Sequence, residues 1–217
     1  MIDFFNKLKI PTLLGLSFII LGIVTGVFLT LREQTFTSQA APNAKPENIT
    51  ISNISDNEVV ISWQTSTPTL SFITYGTTNT NEATLLDNRD VLLDKPTPHT
   101  VHYVTIKNLL PSTVYKFKII SGKLSSEIQE FKTANPIDSN TGTKPIIGTV
   151  LDNKTPLLEG IVYLSISNAT IQSSIIKQSG NFLIPTSNIR NTDLSSNILL
   201  TEDTIGKLSI ISSKGQT

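Results

Sequence analysis

Cysteine is absent from this chain of 217 residues, which excludes disulfide cross-links, thiol catalysis and cysteine metal sites. Histidine occurs only twice, and the charged side chains balance at 17 basic and 17 acidic. A balanced charge provides no basic field for nucleic acid, so we expect no nucleic-acid partner. Stability therefore has to come from side-chain packing and strand pairing.

One long run, Ile10–Leu31, contains no charged residue. Its 22 residues would span about 33 Å as a helix, which is enough to cross a lipid bilayer. Two lysines lie in residues 1–9 before the run, whereas Arg32 after it is followed at once by Glu33. The sequence therefore predicts a single transmembrane helix over residues 10–31, a cytoplasmic N-terminus at residues 1–9, and extracellular domains after the helix.

A cleaved signal peptide is the alternative interpretation of this segment, because Ser38, Gln39 and Ala40 form a small-x-small cleavage pattern. Cleavage there would make the protein secreted. The apolar run is longer than the 7–15 residues of a usual signal core, and this length favours an uncleaved anchor at the cell membrane.

Gly22 and Gly26 form a G-x-x-x-G pair within the run. Such a pair lets two helix backbones approach closely, so it could support a homodimer through the membrane helix. Glycine is also common in membrane helices without any such role.

The remainder of the chain is predicted to form two β-rich domains joined by linkers. Residues 32–45 and 134–144 lack strand or helix periodicity and are rich in linker residues, so we predict extended connections there. Between and after them, residues 46–133 and 145–217 are each predicted as a small antiparallel β-sandwich. The expected fold class is an all-β ectodomain behind one N-terminal helix, with the sandwiches arranged as separate beads.

Alternation with a period of two marks several strands of the first domain. Val59, Ile61 and Trp63 should point to one side of their strand, while Val60 and Ser62 should point to the other. The same alternation runs over Tyr115–Ile119, and we expect one face of each strand to meet a core and the other to meet water.

A lone tryptophan in an early strand and a Leu-x-Pro-x-Thr-x-Tyr pattern near the end of the first domain resemble a fibronectin type III domain. This signature comprises Trp63, Leu109, Pro111, Thr113 and Tyr115. The resemblance implies that Tyr115 forms a tyrosine corner, in which its hydroxyl hydrogen-bonds to nearby backbone.

A narrower resemblance links the same domain to the N-terminal sandwich of purple acid phosphatases. It rests on Ser62–Thr65, Tyr75–Thr77 and His102–Tyr115. Members of that family keep their two-metal chemistry in a separate, larger domain, whose Gly-Asp and Gly-Asn-His ligand motifs do not occur in this sequence. The resemblance thus implies an accessory domain and gives no reason to expect phosphatase activity.

The second domain resembles the carboxypeptidase regulatory-like family, which has a small transthyretin-like β-sandwich. The resemblance rests on Ile146–Asp152, Thr155–Leu164 and Ser179–Pro185. The glycines of these motifs are expected at turns or bulges before each strand. Residues 186–217 fit the pattern less well, although Leu208–Ile211 could supply a closing strand.

Candidate chemical groups are few. His99 and His102 are three residues apart, which places them on opposite faces of a strand and disfavours a shared metal ion. Asp87, Asp90 and Asp94 could bind calcium, but basic residues interleave with them and no glycine organises the loop, so we expect a solvated connection. The sequence contains no G-x-S-x-G motif. We predict no catalytic, cofactor-binding or metal-binding residue, no cofactor, and no enzyme activity.

The sequence favours a membrane-anchored cell-surface protein whose sandwiches act as adhesion, spacer or scaffolding modules. A surface protein or a polysaccharide would then be the partner, besides the lipid bilayer itself. The alternative is an accessory region of an exported hydrolase, acting on phosphoesters or polysaccharide, whose catalytic domain is absent from these residues. A sensor ectodomain is a third interpretation, and it would require a membrane partner to signal.

Overall fold

A computed structural model describes residues 15, 20–23, 25, 44–91, 93, 95–137, 144–213 and 215–216. The chain divides into two compact units, Met1–Ala40 and Ala41–Thr217. Residues 15, 20–23 and 25 are helical. Most of the predicted membrane helix, Gly26 of the glycine pair and the candidate cleavage site at Ala40 lie outside the described residues. No helix among the residues that the structure describes is long and apolar enough to cross a membrane.

The first sandwich consists of two antiparallel sheets. One sheet has the strand order β1-β2-β5, and in the other β4, β3 and β6 lie side by side while β7 and β8 both pair with β6. The strands are β1 (Glu47–Ser52), β2 (Glu58–Thr69), β3 (Ser71–Gly76), β4 (Ala83–Leu86), β5 (His99–Lys107), β6 (Val114–Ser121), β7 (Leu124–Ser125) and β8 (Gln129–Lys132). Between the sheets lies a buried cluster, the first core: Val59, Ile61, Trp63, Ile73, Val104, Ile106, Leu109, Tyr115, Phe117, Ile119 and Phe131.

The predicted alternation is confirmed in β6. Tyr115, Phe117 and Ile119 are buried in the first core, whereas Lys116 and Lys118 on the opposite face are partly exposed. A strand with one apolar and one polar face needs a partner sheet on one side only. The β6 sheet is therefore an outer layer of the molecule.

The second sandwich is also antiparallel. One sheet has the order β13-β12-β15-β16, and β14 pairs with β9 on the other side of a second buried cluster, while β10 and β11 form a hairpin. The strands are β9 (Ile146–Thr149), β10 (Leu151–Asp152), β11 (Thr155–Pro156), β12 (Gly160–Ile166), β13 (Gln172–Ile175), β14 (Asn181–Ile184), β15 (Gly206–Ser212) and β16 (Gly215–Gln216). The closing strand expected at Leu208–Ile211 is confirmed as part of β15.

Gly148 of the second sandwich lies within β9 and not at a turn before it, which differs from the expectation for this motif. Phe182 is its partner on β14, and the Phe182 ring lies over Gly148. A Cβ atom at position 148 would lie 2.6 Å from two carbons of that ring. The glycine is thus required by the close approach of an aromatic side chain.

The sheet containing β1, β2 and β5 is buried on both faces. Val59, Ile61 and Trp63 face the first core as predicted, but Val60 and Ser62 on the opposite face are also buried, at 1% and 0% exposure. The expectation that this second face meets water is therefore wrong for β2. It meets the second sandwich instead.

The second sandwich packs against this face through an apolar cluster that we call the shared core. Its buried members are Val60, Val101 and Tyr103 from the first sandwich and Ile161, Tyr163 and Ile211 from the second. The two sandwiches are therefore stacked as four sheet layers, unlike the separate beads expected from sequence. A predicted linker, residues 134–144, connects them, and residues 138–143 of it lie outside the described part of the chain.

The shared core should couple the unfolding of the two sandwiches. Trp63 is the only tryptophan and lies in the first core, so its fluorescence reports on the first sandwich alone. We expect Ile161→Ala, in the second sandwich, to remove about 3 kcal/mol of stability and to lower the midpoint of the Trp63 transition in urea. Ile147→Ala is the control, because Ile147 is 71% exposed. An unchanged Trp63 transition in Ile161→Ala would show that the sandwiches unfold independently.

Candidate functional site

A polar cluster lies beside the shared core, and two of its members are the acids expected in a solvated loop. Asp87 is 1% exposed and Asp90 is 4% exposed, so that expectation is wrong for both of them. Asp94 lies outside the described residues. Buried carboxylates require compensating partners.

Arg89 provides the main compensation for Asp87. Its Nε lies 2.7 Å from Oδ1 and its Nη2 lies 2.8 Å from Oδ2, which makes the ion pair bidentate, and the Tyr103 N–H donates to Oδ2 at 2.8 Å. Burial acts to raise the pKa of Asp87, but the hydrogen bonds and charge of Arg89 outweigh it and hold that pKa below its usual value. Asp87 is therefore an ionised, fully paired carboxylate.

Residues 87–89 also close the outer edge of β5. The Asn88 N–H donates to the Tyr103 carbonyl at 3.0 Å, and the Asn88 side-chain oxygen accepts from the Thr105 N–H at 2.9 Å. Arg89 donates through Nη2 to the Val101 carbonyl. An open strand edge would be a template for pairing with other chains, and these contacts occupy it.

Glu159 brings the second sandwich into the cluster. Its carboxylate accepts from Arg89 Nη1 at 3.2 Å, from the Thr100 hydroxyl at 3.3 Å and from the Val101 N–H at 3.4 Å. Arg89 thus bridges a carboxylate of the first sandwich and one of the second.

The two histidines occupy different surroundings. His99 lies between the two sandwiches, with Nε2 at 3.4 Å from Asp90 Oδ1 and Nδ1 at 3.7 Å from Glu159 Oε1. His102 lies in the interior of the first sandwich, and the two rings meet edge to face with centroids 6.2 Å apart. Among the described residues, no group of three or more histidine or acidic side chains is placed to hold a metal ion.

His102 stacks on Trp63, its cross-strand partner in β2, with ring centroids 5.0 Å apart and an interplanar angle of 8°. Its Nε2 lies 3.3 Å from the Thr65 hydroxyl, while the buried Nδ1 has no hydrogen-bond partner among the described residues. Burial lowers the pKa of His102 to about 4. The imidazole is therefore neutral at pH 7.

The residues of the fibronectin-like signature belong to one core and one corner. The Leu110 N–H donates to the Tyr115 hydroxyl at 2.9 Å, which is the backbone contact that the resemblance implies. Thr113 donates to the Pro111 carbonyl at 2.8 Å, and Leu109 is buried in the first core together with Trp63 and Tyr115. The Trp63 indole N–H finds its own acceptor in Ser71, at 3.1 Å. These residues stabilise the fold of the first sandwich.

Asn53 is a residue of the junction that sequence reasoning missed. Its backbone N–H donates to the Ile171 carbonyl at 2.9 Å, its side-chain nitrogen donates to the Ser173 carbonyl at 2.9 Å, and its side-chain oxygen accepts from the Ser173 N–H at 2.6 Å. Asn53 has a φ of 51°, a left-handed conformation that asparagine tolerates better than most residues. No local sequence pattern marks Asn53, because its side-chain partner Ser173 lies 120 residues away.

Hydroxyl groups complete the junction. Ser62 and Tyr163 hydrogen-bond at 2.8 Å, Ser52 and Ser173 do so at 2.7 Å, and the Tyr103 hydroxyl donates to the Ser173 carbonyl at 3.2 Å. Burial raises the pKa of Tyr103 to about 12, so this phenol stays protonated and keeps its donor. At the junction, polar groups of one sandwich are therefore hydrogen-bonded to polar groups of the other.

Residues 46–133 match the family model of the purple acid phosphatase N-terminal domain, and this match fits the β-sandwich seen in the structure. No curated protein matches the chain.

Three of the solved structures that resemble this chain do so with low sequence identity and a low TM-score. The sensor domain of the anti-sigma factor RsgI4 of Pseudobacteroides cellulosolvens is 21% identical, with 44% of this chain and 98% of that chain covered and a TM-score of 0.34. A computer-redesigned β-sandwich protein is 23% identical, with 42% and 95% covered and a TM-score of 0.32. The chicken CNTN1 FN1-FN3 domains are 16% identical, with 79% and 61% covered and a TM-score of 0.29. Scores at this level carry no conclusion about function.

Removal of Arg89 should be costly, because it leaves Asp87 charged and buried. We expect Arg89→Met to lower the free energy of unfolding by about 3 kcal/mol, as measured by urea denaturation. Lys116→Met is the matched control, since Lys116 forms a 4.0 Å pair with Glu130 in which both side chains are exposed. That pair should contribute at most about 1 kcal/mol. Equal losses in the two variants would contradict a buried role for Arg89.

The neutral His102 predicts a specific pH dependence. Its folded pKa of about 4 lies below the ordinary histidine value of 6.5, so the unfolded chain binds more protons between these values and stability falls as pH falls through this window. The expected loss from His102 is about 3 kcal/mol between pH 6.5 and 4. His102→Phe keeps an aromatic ring stacked on Trp63 and removes the group that titrates. The pH dependence that Asp87 contributes is the same in wild type and variant. Parallel stability curves for wild type and variant over this window would refute the assignment.

Proposed function

We propose that this chain is a membrane-anchored cell-surface protein whose two sandwiches form one rigid arm that serves as an adhesion, spacer or scaffolding module. The observation that carries the proposal is the shared core. A spacer must hold its ends in a fixed relation, and six buried side chains contributed by both sandwiches favour one arrangement over a swinging pair.

The surface location is supported by the sequence of the first unit. The run Ile10–Leu31 is uncharged, and the basic residues lie before it, as expected for a helix with a cytoplasmic N-terminus. The absence of cysteine makes the arm independent of oxidative folding, because packing and hydrogen bonds supply its stability. Secretion after cleavage near Ala40 remains the alternative arrangement.

A second candidate function has its own support. The match of residues 46–133 to the purple acid phosphatase N-terminal domain favours an accessory region of an exported hydrolase that acts on phosphoesters or polysaccharide. In that case a catalytic domain in another chain, or in a longer form of this one, would use the sandwiches for positioning.

Protease treatment of intact cells tests the surface proposal. With a C-terminal tag on the full chain, we expect external protease to remove the tag and leave a small N-terminal fragment in the membrane fraction. Protection of the tag in intact cells, with loss only after lysis, would contradict a surface location. A tagged product in the medium that begins near Ala41 would show that the segment is cleaved.

Purification from those membranes under mild conditions separates the two candidate functions. If the chain is a spacer, the purified sample should hydrolyse p-nitrophenyl phosphate or a soluble polysaccharide no faster than a mock purification from untagged cells. Activity well above that level, lost when the tagged chain is depleted, would favour the hydrolase accessory.

A further inference from the structure

A cleft of about 210 Å³ opens between the two sandwiches, on the side of the junction where Asn53 lies. One wall comes from the connection between β1 and β2 and the start of β2 in the first sandwich, and the other wall comes from the second sandwich. The first wall consists of Asn53, Ile54, Ser55, Asn57 and Glu58. The second wall consists of Gln172, Pro185 and Asn188. Junctions between domains are preferred places for ligand sites, and neither candidate function uses this cleft.

The lining of the cleft combines hydrogen-bond donors with acceptors. Both the oxygen and the nitrogen of the Asn188 side-chain amide are available to a ligand, because this side chain makes no hydrogen bond to another described residue. Asn57 uses its side-chain oxygen to accept from Ser55 at 3.2 Å, and Gln172 uses its side-chain nitrogen to donate to Thr170. The remaining amide nitrogen of Asn57 is a donor, and the remaining oxygen of Gln172 is an acceptor.

Arg190 adds an unusual group two residues beyond Asn188. The residue is only 4% exposed, yet Nε and Nη1 of its guanidinium have no hydrogen-bond partner among the described residues. The charge of Asp56 acts on Arg190, and Asp56 lies in sequence between Ser55 and Asn57 of the first wall. Two buried guanidinium nitrogens without an acceptor are costly, so Arg190 is an incompletely compensated cation close in sequence to the second wall.

The charges at the cleft select against an anion. Glu58 places a carboxylate on the first wall, and no lysine or arginine is among the described residues that line the cleft. The Lys107 Nζ atom lies 3.8 Å from Glu58 Oε2 at an exposed position, so it neutralises the charge of Glu58 only weakly. An anionic ligand would meet this acidic wall, while a neutral one would not.

Hydroxyl groups suit this lining, since each is both a donor and an acceptor. Ile54 and Pro185 give the cleft an apolar surface on which the carbon face of a ring can pack. The volume is small by the standard of drug-sized ligands and matches a single ring. We propose that the cleft between residues 53–58 and Gln172, Pro185 and Asn188 binds one unit of a neutral carbohydrate. This inference deepens the proposed adhesive function and rests on it for its biological setting.

The test is a binding experiment on the full chain in a detergent without a sugar headgroup. The probes are glucose, galactose, mannose and xylose, and a neutral hexasaccharide of each, observed by saturation-transfer NMR and by calorimetry. We expect at least one of these sugars to bind. Tighter binding of the hexasaccharide would indicate a site for chains, and equal binding would indicate a site for a terminal unit, both in support of the proposal.

Matched variants locate the binding. Asn57→Ala and Asn188→Ala should each weaken it roughly tenfold, because each removes a hydrogen bond to the ligand. Gln178→Ala is the control, since Gln178 is an exposed amide that does not line this cleft. Asn57 is exposed, so its variant is expected to fold even where a change at Arg190 would not.

Three results would overturn the proposal. They are no binding of any sugar in the panel, equal affinity in the cleft variants and in Gln178→Ala, and binding of glucuronic acid, measured alongside as the anionic comparison, that is tighter than that of every neutral monosaccharide. These results are independent of membrane topology. If the tag is extracellular but the cleft binds no sugar, the proposed function stands and this inference fails. If the chain binds a sugar but the tag is intracellular, this inference stands and the proposed surface location fails.

Discussion

The structure depends on the burial of the β1-β2-β5 sheet on both of its faces. One face contributes Val59, Ile61 and Trp63 to the first core, and the other contributes Val60, Val101 and Tyr103 to the shared core. Fully burying an aliphatic side chain is worth roughly 1.5–3 kcal/mol, so separating the sandwiches would expose apolar surface at a large cost. The same sheet therefore stabilises each sandwich and joins the two.

Apolar packing alone does not fix an orientation, because it is not directional. Directional contacts surround the shared core: Ser62 with Tyr163, Asn53 with Ser173, and Arg89 with Glu159. Each of them would leave a buried or half-buried polar group unsatisfied if the sandwiches shifted relative to each other. The hydrogen bonds thus select one arrangement among those that the apolar surfaces would allow.

Several features of this architecture could be predicted from local sequence. The alternation in β6 and the Leu-x-Pro-x-Thr-x-Tyr pattern at Tyr115 act over a few residues, and the structure shows the corresponding buried face and backbone hydrogen bond. The consecutive apolar residues Val59, Val60 and Ile61 carried a further signal, since a strand buried on both faces loses its alternation. Period-two reasoning assigned Val60 to water because it considered one sandwich at a time.

The polar junction could not be predicted in this way. Asp87 and Asp90 resemble solvated loop acids because the sequence does not show that distant groups cover their loop. The Tyr103 N–H that Asp87 accepts from is 16 residues away, and Glu159 lies 70 residues from Arg89. Asn53 and Ser173 are separated by 120 residues. No local pattern reports such contacts, which arise only when two sheets meet. The candidate cleft is likewise a product of the junction, with walls from both sandwiches.

The most direct test of a single rigid arm is a distance measurement between the sandwiches. Because the chain contains no cysteine, a pair introduced at the exposed positions Thr84 in β4 and Ile147 in β9 would carry the only two spin labels. Double electron–electron resonance should give one narrow distance distribution, as narrow as that of two labels placed within the first sandwich. A broad or multimodal distribution between the sandwiches would contradict the account.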